Sequence, residues 1–509
     1  MDIHPNTPIL IGVGQVVDHW DGTDPATAPS PASLIQAAAT NAIADTGAGT
    51  AVSTAIERII IIRTMLDSVP GTPHPFGRCA NPPATLAAAI SLSPSEMIYS
   101  VVGGDQPQTL VNESAEAIFK GDVDTILLAG AEATAAMKLA LKRGIALDWS
   151  ASAGGKCEDR GYGARLLSGY EIKNGLGAPT QTYPAFEHAL RGRLGNSREE
   201  HDVLMAELWA GFSDVAAKNP YAQFPVRRSA DFLASPSPEN YPVADPYLKW
   251  HVAQDAVNQG AAVIMTSVSR AKELGIDPAK WIYLHGYAHA ADLLPTERAD
   301  LSRSLAMELT LKQALANAGK ATSEIAYFDL YSCFPCAVLL AAEAIGLDWR
   351  KTPATVTGGL PFFGGAGNNY SMHAIATIVE LLRAAPDQFG LVIANGGFLS
   401  KEAVGIYSAI PAKDWAPQSS TKIQSQIAAQ PAPAILNEST EAVVETYSII
   451  AKKGAADRGY IIAKNDKGRI LARVQIEDLA TLQAQDPIGR SVKFDNRDGI
   501  NFAHRVTNL

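Results

Sequence analysis

Residues 324–346 read EIAYFDLYSCFPCAVLLAAEAIG: a strand-like run through Leu330, the junction Tyr331-Ser332-Cys333-Phe334-Pro335-Cys336, and a helix-like Ala/Leu run. Half of the chain's four cysteines fall in this junction. The pair is open to three readings: a dithiol doing redox chemistry, a nucleophile that carries an acyl group, or thiols that merely pack. Cys-x-x-Cys between strand and helix is where a thioredoxin-like motif sits, and a helix N-terminus lowers a thiol's pKa. Against that, the surrounding strand–helix units are too many for so small a fold. A zinc site would need further ligands at the right spacing, and Cys79 and Cys157 stand alone, so no metal is expected. Cys336, three residues on, reads as core.

The alternation extends in both directions from this junction. Upstream, PILIGVGQVV (8–17), IERIIIIRTM (56–65), EMIYSVVGG (96–104) and VDTILLAGAEA (123–133) are separated by Ala-rich stretches of helical spacing. That order predicts an α/β domain with helices packed on a largely parallel sheet. In each half of the series a Gly-containing turn leads to a helix and then a strand, VDTILLAGAEA or FGLVIANGGF (389–398), which suggests an internal duplication. Residues 136–250 turn polar and aromatic with Pro-rich loops, the character of an inserted, ligand-facing lid. The first half is then 1–135 with 251–275, the loop domain 136–250, and the second half 276–410. Residues 411–437 carry four prolines among Ala, Gln and Ser, a linker composition. Residues 438–509 alternate short β runs with the turn signals KKGAADRG and NDKG, so a small β-rich domain is expected, with an OB-like barrel and a split βαβ unit both compatible.

The 509 residues exceed the roughly 250–300 at which single cores stop growing. A net charge of −10, from 42 basic and 52 acidic residues, gives no global attraction to nucleic acid or anionic membranes. No stretch reaches the ~18 uncharged apolar residues of a membrane helix, and no basic segment precedes the first apolar run, so a cytoplasmic protein without a membrane span is expected. Four cysteines fit a reducing compartment. GGLPFFGGAG is neither a Walker loop nor a dinucleotide fingerprint. His285 and His289 are four residues apart in a strand-like run, which parts them and makes metal binding there unexpected.

FDLYSCFPCAVLLAAEAIGLD (328–348), followed by VTGGLPFFGGAGNNYSMHAIATIVELL (356–382) and LVIANGGFLSKEAVGIYS (391–408), resembles the C-terminal half of the thiolase superfamily, especially its sterol-carrier-protein branch. AIFKGDVDTILLAGAEA (117–133) is similar to the N-terminal half, and NQGAAVIMTSVSRAKELG (258–275) to the stretch that begins the second. The resemblance spans roughly residues 8–410, and the whole chain resembles a type 1 thiolase-like protein. It implies a five-layer αβαβα core of two duplicated halves with a helical loop domain over an acyl-CoA site. It also implies coenzyme A or an acyl-CoA as substrate or ligand, no tightly bound cofactor, a place in lipid metabolism, and a homodimer or a monomer.

In that family a cysteine nucleophile, a histidine on a Gly-His-Pro loop, a second cysteine as acid/base and an Asn or His on a strand-ending loop do the chemistry. Counting back from Ile118 and Gly121, the nucleophile falls on Gly104. The loop reading His-Asp-Cys-Phe in the sterol-carrier branch is Tyr331-Ser332-Cys333-Phe334 here. Gly-His-Pro becomes Gly364-Gly365-Ala366, and the acid/base cysteine becomes Asn395. Losing the nucleophile ends acyl transfer through position 104. The backbone donors at Gly103, Gly104, Gly396 and Gly397 could still face a thioester oxygen.

The candidates are therefore Cys333 as a relocated nucleophile, His373 as a relocated base, Tyr331 as a hydroxyl in place of the family's histidine, and Asn395. Asn368 and Asn369 read first as cap and turn residues and second as amide donors to a carbonyl. Arg227, Arg228 and the basic residues of HALRGRLGNSREEH (188–201) read first as a solvated helix face and second as contacts for CoA phosphates. The expected function is an acyl-CoA-binding, acetyl-CoA acetyltransferase-like protein with a rebuilt site. The alternatives are a non-catalytic acyl-CoA or partner-binding protein and a Cys333/Cys336 redox protein.

Overall fold

The structure, a computed structural model, describes residues 3–504. Its first strand, Pro8–Val17, is buried over its first eight residues, as a strand covered on both faces must be. It pairs antiparallel with Asn258–Ser267, which pairs antiparallel with Thr125–Ala133; Arg58–Ile61 and Glu96–Tyr99 follow in parallel. The second half repeats this order. Ile282–Ala291 lies antiparallel to Lys401–Ser408, that strand antiparallel to Phe389–Gly396, and Tyr327–Leu330 closes the row in parallel. The sheets are thus mixed, with parallel pairing confined to the outer strands, because the strand that ends each half returns next to the one that begins it. They meet edge to edge where Ile9 and Leu10 face Tyr283 and Ile282.

Helices Gln106–Lys120 and Tyr370–Ala384 form the middle layer and contact strands of both halves. Pro31–Asp45 covers the first sheet, and Leu305–Ala318 with Pro335–Ile345 covers the second. The duplication is visible in the packing: a Cβ on Gly14 would overlap the Ala38 carbonyl, and one on Gly286 the Ala314 carbonyl. Each half lets its outer helix settle on its first strand through the same glycine device.

The loop domain contributes helices Gly169–Asn174, Pro179–Leu194 and Arg198–Ala216, the last opened by a Ser197/Glu200 capping box. The C-terminal domain closes on itself. Thr440–Lys452 pairs with Ala455–Asn465, that with Gly468–Val474, that in parallel with Ile500–His504, that with Ser491–Arg497, and that again with Thr440–Lys452. With helix Leu479–Ala484 between its third and fourth strands, this is the OB-like barrel. The loop-domain strand Pro242–Asp245 extends the barrel by pairing with Ile449 and Ile450.

The barrel docks on helix Pro179–Leu194. Thr446 Oγ1 donates to the Ala185 carbonyl, Tyr460 Oη to that of Gln181, both at 2.6 Å, and Arg191 pairs with Asp486. Arg469 of the barrel, fully buried, pairs with Glu445 and reaches the carbonyls of Thr296, Arg298 and Ala299 in the core. The Pro-rich connection is also laid down firmly. Gln418 accepts from Tyr287 N–H and donates to the His285 carbonyl, Ser420 accepts from His289 N–H, and Gln424 accepts from Ala291 N–H, so side chains satisfy the strand edge that no neighbouring strand covers.

Candidate functional site

Strand Tyr327–Leu330 delivers the turn 331–334, and Pro335 opens the helix behind it. Cys333 sits in this turn, partly accessible, while Cys336 is fully buried; both are free thiols. Asn395, near the end of Phe389–Gly396, donates through Nδ2 to Tyr183 Oη at 3.0 Å and approaches Cys333 Sγ at 3.7 Å. Tyr183 Oη also accepts the Leu399 N–H at 3.1 Å, and its ring stacks on Phe334 with centroids 4.1 Å apart. Burial pushes the Cys333 thiol up to about 12, and the nearby Glu402 adds to this against the opposing hydrogen bond from Tyr183. The helix N-terminus does not win here: desolvation of a thiolate outweighs it.

Tyr331 occupies the space at position 104. A Cβ on Gly104 would overlap the Tyr331 hydroxyl and crowd the Asn395 carbonyl. Gly103 and Gly396 are held small by Asp105 and Lys401, whose ion pair is 3.1 Å long. The Gly103 N–H is engaged by Asn368 Oδ1 at 3.2 Å, and the Gly365 N–H by the Gln254 carbonyl at 2.8 Å. A Cβ on Gly364 would strike Gln259, and one on Gly397 would strike Leu166 of the loop domain.

Asn368 and Asn369 do not cap the Tyr370–Ala384 helix through their side chains. Asn368 donates to the Arg63 carbonyl and Ser68, and Asn369 to the Gly130 carbonyl, so both amides tie the second half to the first. His373 is fully buried against Gln15 (2.9 Å) and Phe363, and burial lowers it to about 3, which keeps it neutral. Cys333, Tyr331, Asn395, Gly104 and Gly396 converge, whereas His373 faces the first strand.

Sequence reasoning missed Tyr183 and Glu402. Tyr183 comes from a loop-domain helix whose buried run gives no sign of which residue reaches the turn. Glu402 carried a signal, a carboxyl leading straight into the apolar run AVGIY of its strand. It is directly opposite Asn395 in the antiparallel ladder, hence on the same face of the sheet. On the loop domain, an open groove of about 1020 Å³ is lined by Arg227, Arg228, Lys249 and Trp250, with the Arg228 guanidinium 3.5 Å from the Trp250 ring centre. A few residues on, the Ala253 N–H donates to the Cys333 carbonyl at 3.2 Å.

No family model matches the chain. A curated relative, a probable acetyl-CoA acetyltransferase of Dictyostelium discoideum, is 32% identical over 143 residues, which is 28% of this chain and 32% of that protein. The chain thus spans about a third of that relative's length. An acetyl-CoA acetyltransferase from Syntrophomonas wolfei shares the fold at a TM-score of 0.55 and 15% identity, over 80% of this chain and 100% of that one. A monomeric SCP2-thiolase like protein type 1 from Mycobacterium smegmatis superposes with a TM-score of 0.84 at 36% identity, covering 99% of this chain and 100% of its own. With a duplicated five-layer core, a loop domain and a C-terminal barrel in one chain, this protein belongs to the thiolase superfamily, among the SCP2-thiolase-like proteins of type 1.

Proposed function

We propose that the chain binds CoA thioesters and acts on them as an acyltransferase-type protein whose site is built around Cys333, Asn395 and Tyr183. The observation that carries this reading is the Tyr331 hydroxyl filling the room a side chain at position 104 would need, while a thiol, an amide and a phenol converge beside it. In this reading Cys333 Sγ attacks the thioester carbonyl, its proton passes to the departing CoA sulfur, and a new thioester forms on Cys333. The phosphates and adenine of CoA suit the groove of Arg227, Arg228, Lys249 and Trp250.

A second reading, an acyl-CoA-binding protein without covalent turnover, is favoured by the elevated Cys333 pKa. At about 12, the thiolate is about 10⁻⁵ of the population at neutral pH. The same burial, which also raises Cys336 well above its ordinary value, gives a dithiol cycle little support. Intact-protein mass spectrometry after incubation with acyl-CoAs, together with calorimetry, separates the two. A stoichiometric adduct lost in Cys333→Ser establishes acyl transfer, binding without an adduct establishes the binder, and no binding of any CoA species removes both. A monomer is proposed, following the description of the Mycobacterium smegmatis protein, and light scattering tests it.

A further inference from the structure

Around the turn 397–400, beside which Asn395 reaches Cys333, three buried polar residues hold hydrogen-bonding capacity that the protein leaves unused. Asn395 Oδ1, both oxygens of Glu402 and Arg298 Nη1 have no hydrogen-bond partner among the described residues, and the three residues are 2%, 1% and 1% exposed. They surround one turn. Asn395 and Glu402 face each other across the strands Phe389–Gly396 and Lys401–Ser408, and Arg298 Nη2 donates to the Phe398 carbonyl (2.8 Å) and Ser400 Oγ (3.3 Å) between them. Burial, with Asp105 and Asp292 nearby and only Arg298 opposing, pushes the Glu402 carboxyl well above its ordinary range, towards its neutral form.

A neutral carboxyl is both donor and acceptor, the open Asn395 oxygen only accepts, and the open Arg298 N–H only donates. Natural interiors seldom leave such groups unmet. An alkyl group beside them leaves all of them unpaired, and a keto oxygen answers the donors but not Asn395. A hydroxyl donates and accepts, so it answers both kinds.

We propose that Asn395, Glu402 and Arg298 form a polar chamber next to Cys333 that receives a hydroxyl group on the acyl chain of the bound thioester. This rests on the CoA-thioester reading above and adds the substrate class, hydroxyacyl-CoA.

The test is calorimetric titration of the full chain with CoA, butanoyl-CoA, 3-oxobutanoyl-CoA and the 2-, 3- and 4-hydroxybutanoyl-CoAs. The expected result is that at least one hydroxy isomer binds about tenfold or more tighter than butanoyl-CoA, with the oxo ester between them. In Glu402→Met, close in volume and without polar hydrogen-bonding atoms, the ratio falls towards one; Asn395→Leu serves as a second variant should the first fail to fold. Equal wild-type affinity for butanoyl-CoA and every hydroxy isomer overturns the proposal and leaves a chamber filled by water. A ratio that survives in the folded variant also overturns it. Failure of CoA and all esters to bind removes the CoA reading and this inference together, whereas binding without preference removes this inference alone.

Discussion

Gly104 and Tyr331 are complementary in volume: one side chain is absent where the other's hydroxyl lies. Gly104→Cys, which restores a thiol at the family's position, is therefore expected to overpack the site at a cost of about 1–3 kcal/mol. A lowered urea midpoint would show it. Adding Tyr331→Phe should recover part of the loss, since the hydroxyl goes while the Asn395 carbonyl stays; an unchanged midpoint in Gly104→Cys would mean that the site has room after all. Cys333 was legible in the sequence because a strand-to-helix turn announces itself, and Asn395 through the family resemblance, near the end of a strand that turns back into another strand. Asn368 and Asn369 read first as cap and turn residues, but their amides cross between halves to backbone carbonyls instead of capping the helix they precede. Tyr183 was illegible, since only the assembled chain brings it to the turn of Cys333, 150 residues further along the sequence.

Helix Pro179–Leu194 is the element that joins site and barrel. One side sends Tyr183 to Asn395 and Glu187 to the turn behind Cys333; Gln181 and Ala185 offer their carbonyls to the barrel. Glu187 is fully buried and accepts from His201 at 2.7 Å, Tyr247 Oη at 2.7 Å and the Cys336 N–H at 2.7 Å. Burial pushes its carboxyl up, but these partners together hold it below the ordinary glutamate range. A depressed folded-state value contributes stability that is complete above the unfolded glutamate pKa and disappears as pH falls through the folded one. Glu187→Gln should thus cost about 3–5 kcal/mol at neutral pH. The gap from wild type should narrow in acid, and denaturation curves giving the same gap at both pH values would contradict it. Strand and helix order was legible along most of the chain, because periodicity reports it. The neighbour order of the strands was not, so the antiparallel centre of each sheet came only with the structure.

At the scale of the molecule, core, loop domain and barrel are joined by buried polar contacts as well as apolar ones. Arg469 has no exposed surface and binds three core carbonyls and Glu445. Arg469→Met leaves those groups unmet at about 3 kcal/mol or more. Calorimetry should then show the barrel melting ahead of the core, and a single unshifted transition would count against the coupling. A small β-rich C-terminal domain was legible from its turn signals, but its closure as a barrel and its seam were not, because the turns do not give strand neighbours and Arg469 in NDKGRILARV looks like one more solvated charge. The connection misled in the opposite sense: Gln and Ser, read as linker composition, here stand in for a missing strand along 285–291. A chain ended at residue 410 should accordingly self-associate on dilution series in sedimentation, while one ended at 437 should do so far less. The segment between the two folded parts is, in effect, a stopper: it quenches an adhesive β-edge within the same molecule before another copy can use it, so selection on its amides protects against polymerisation as much as it connects domains.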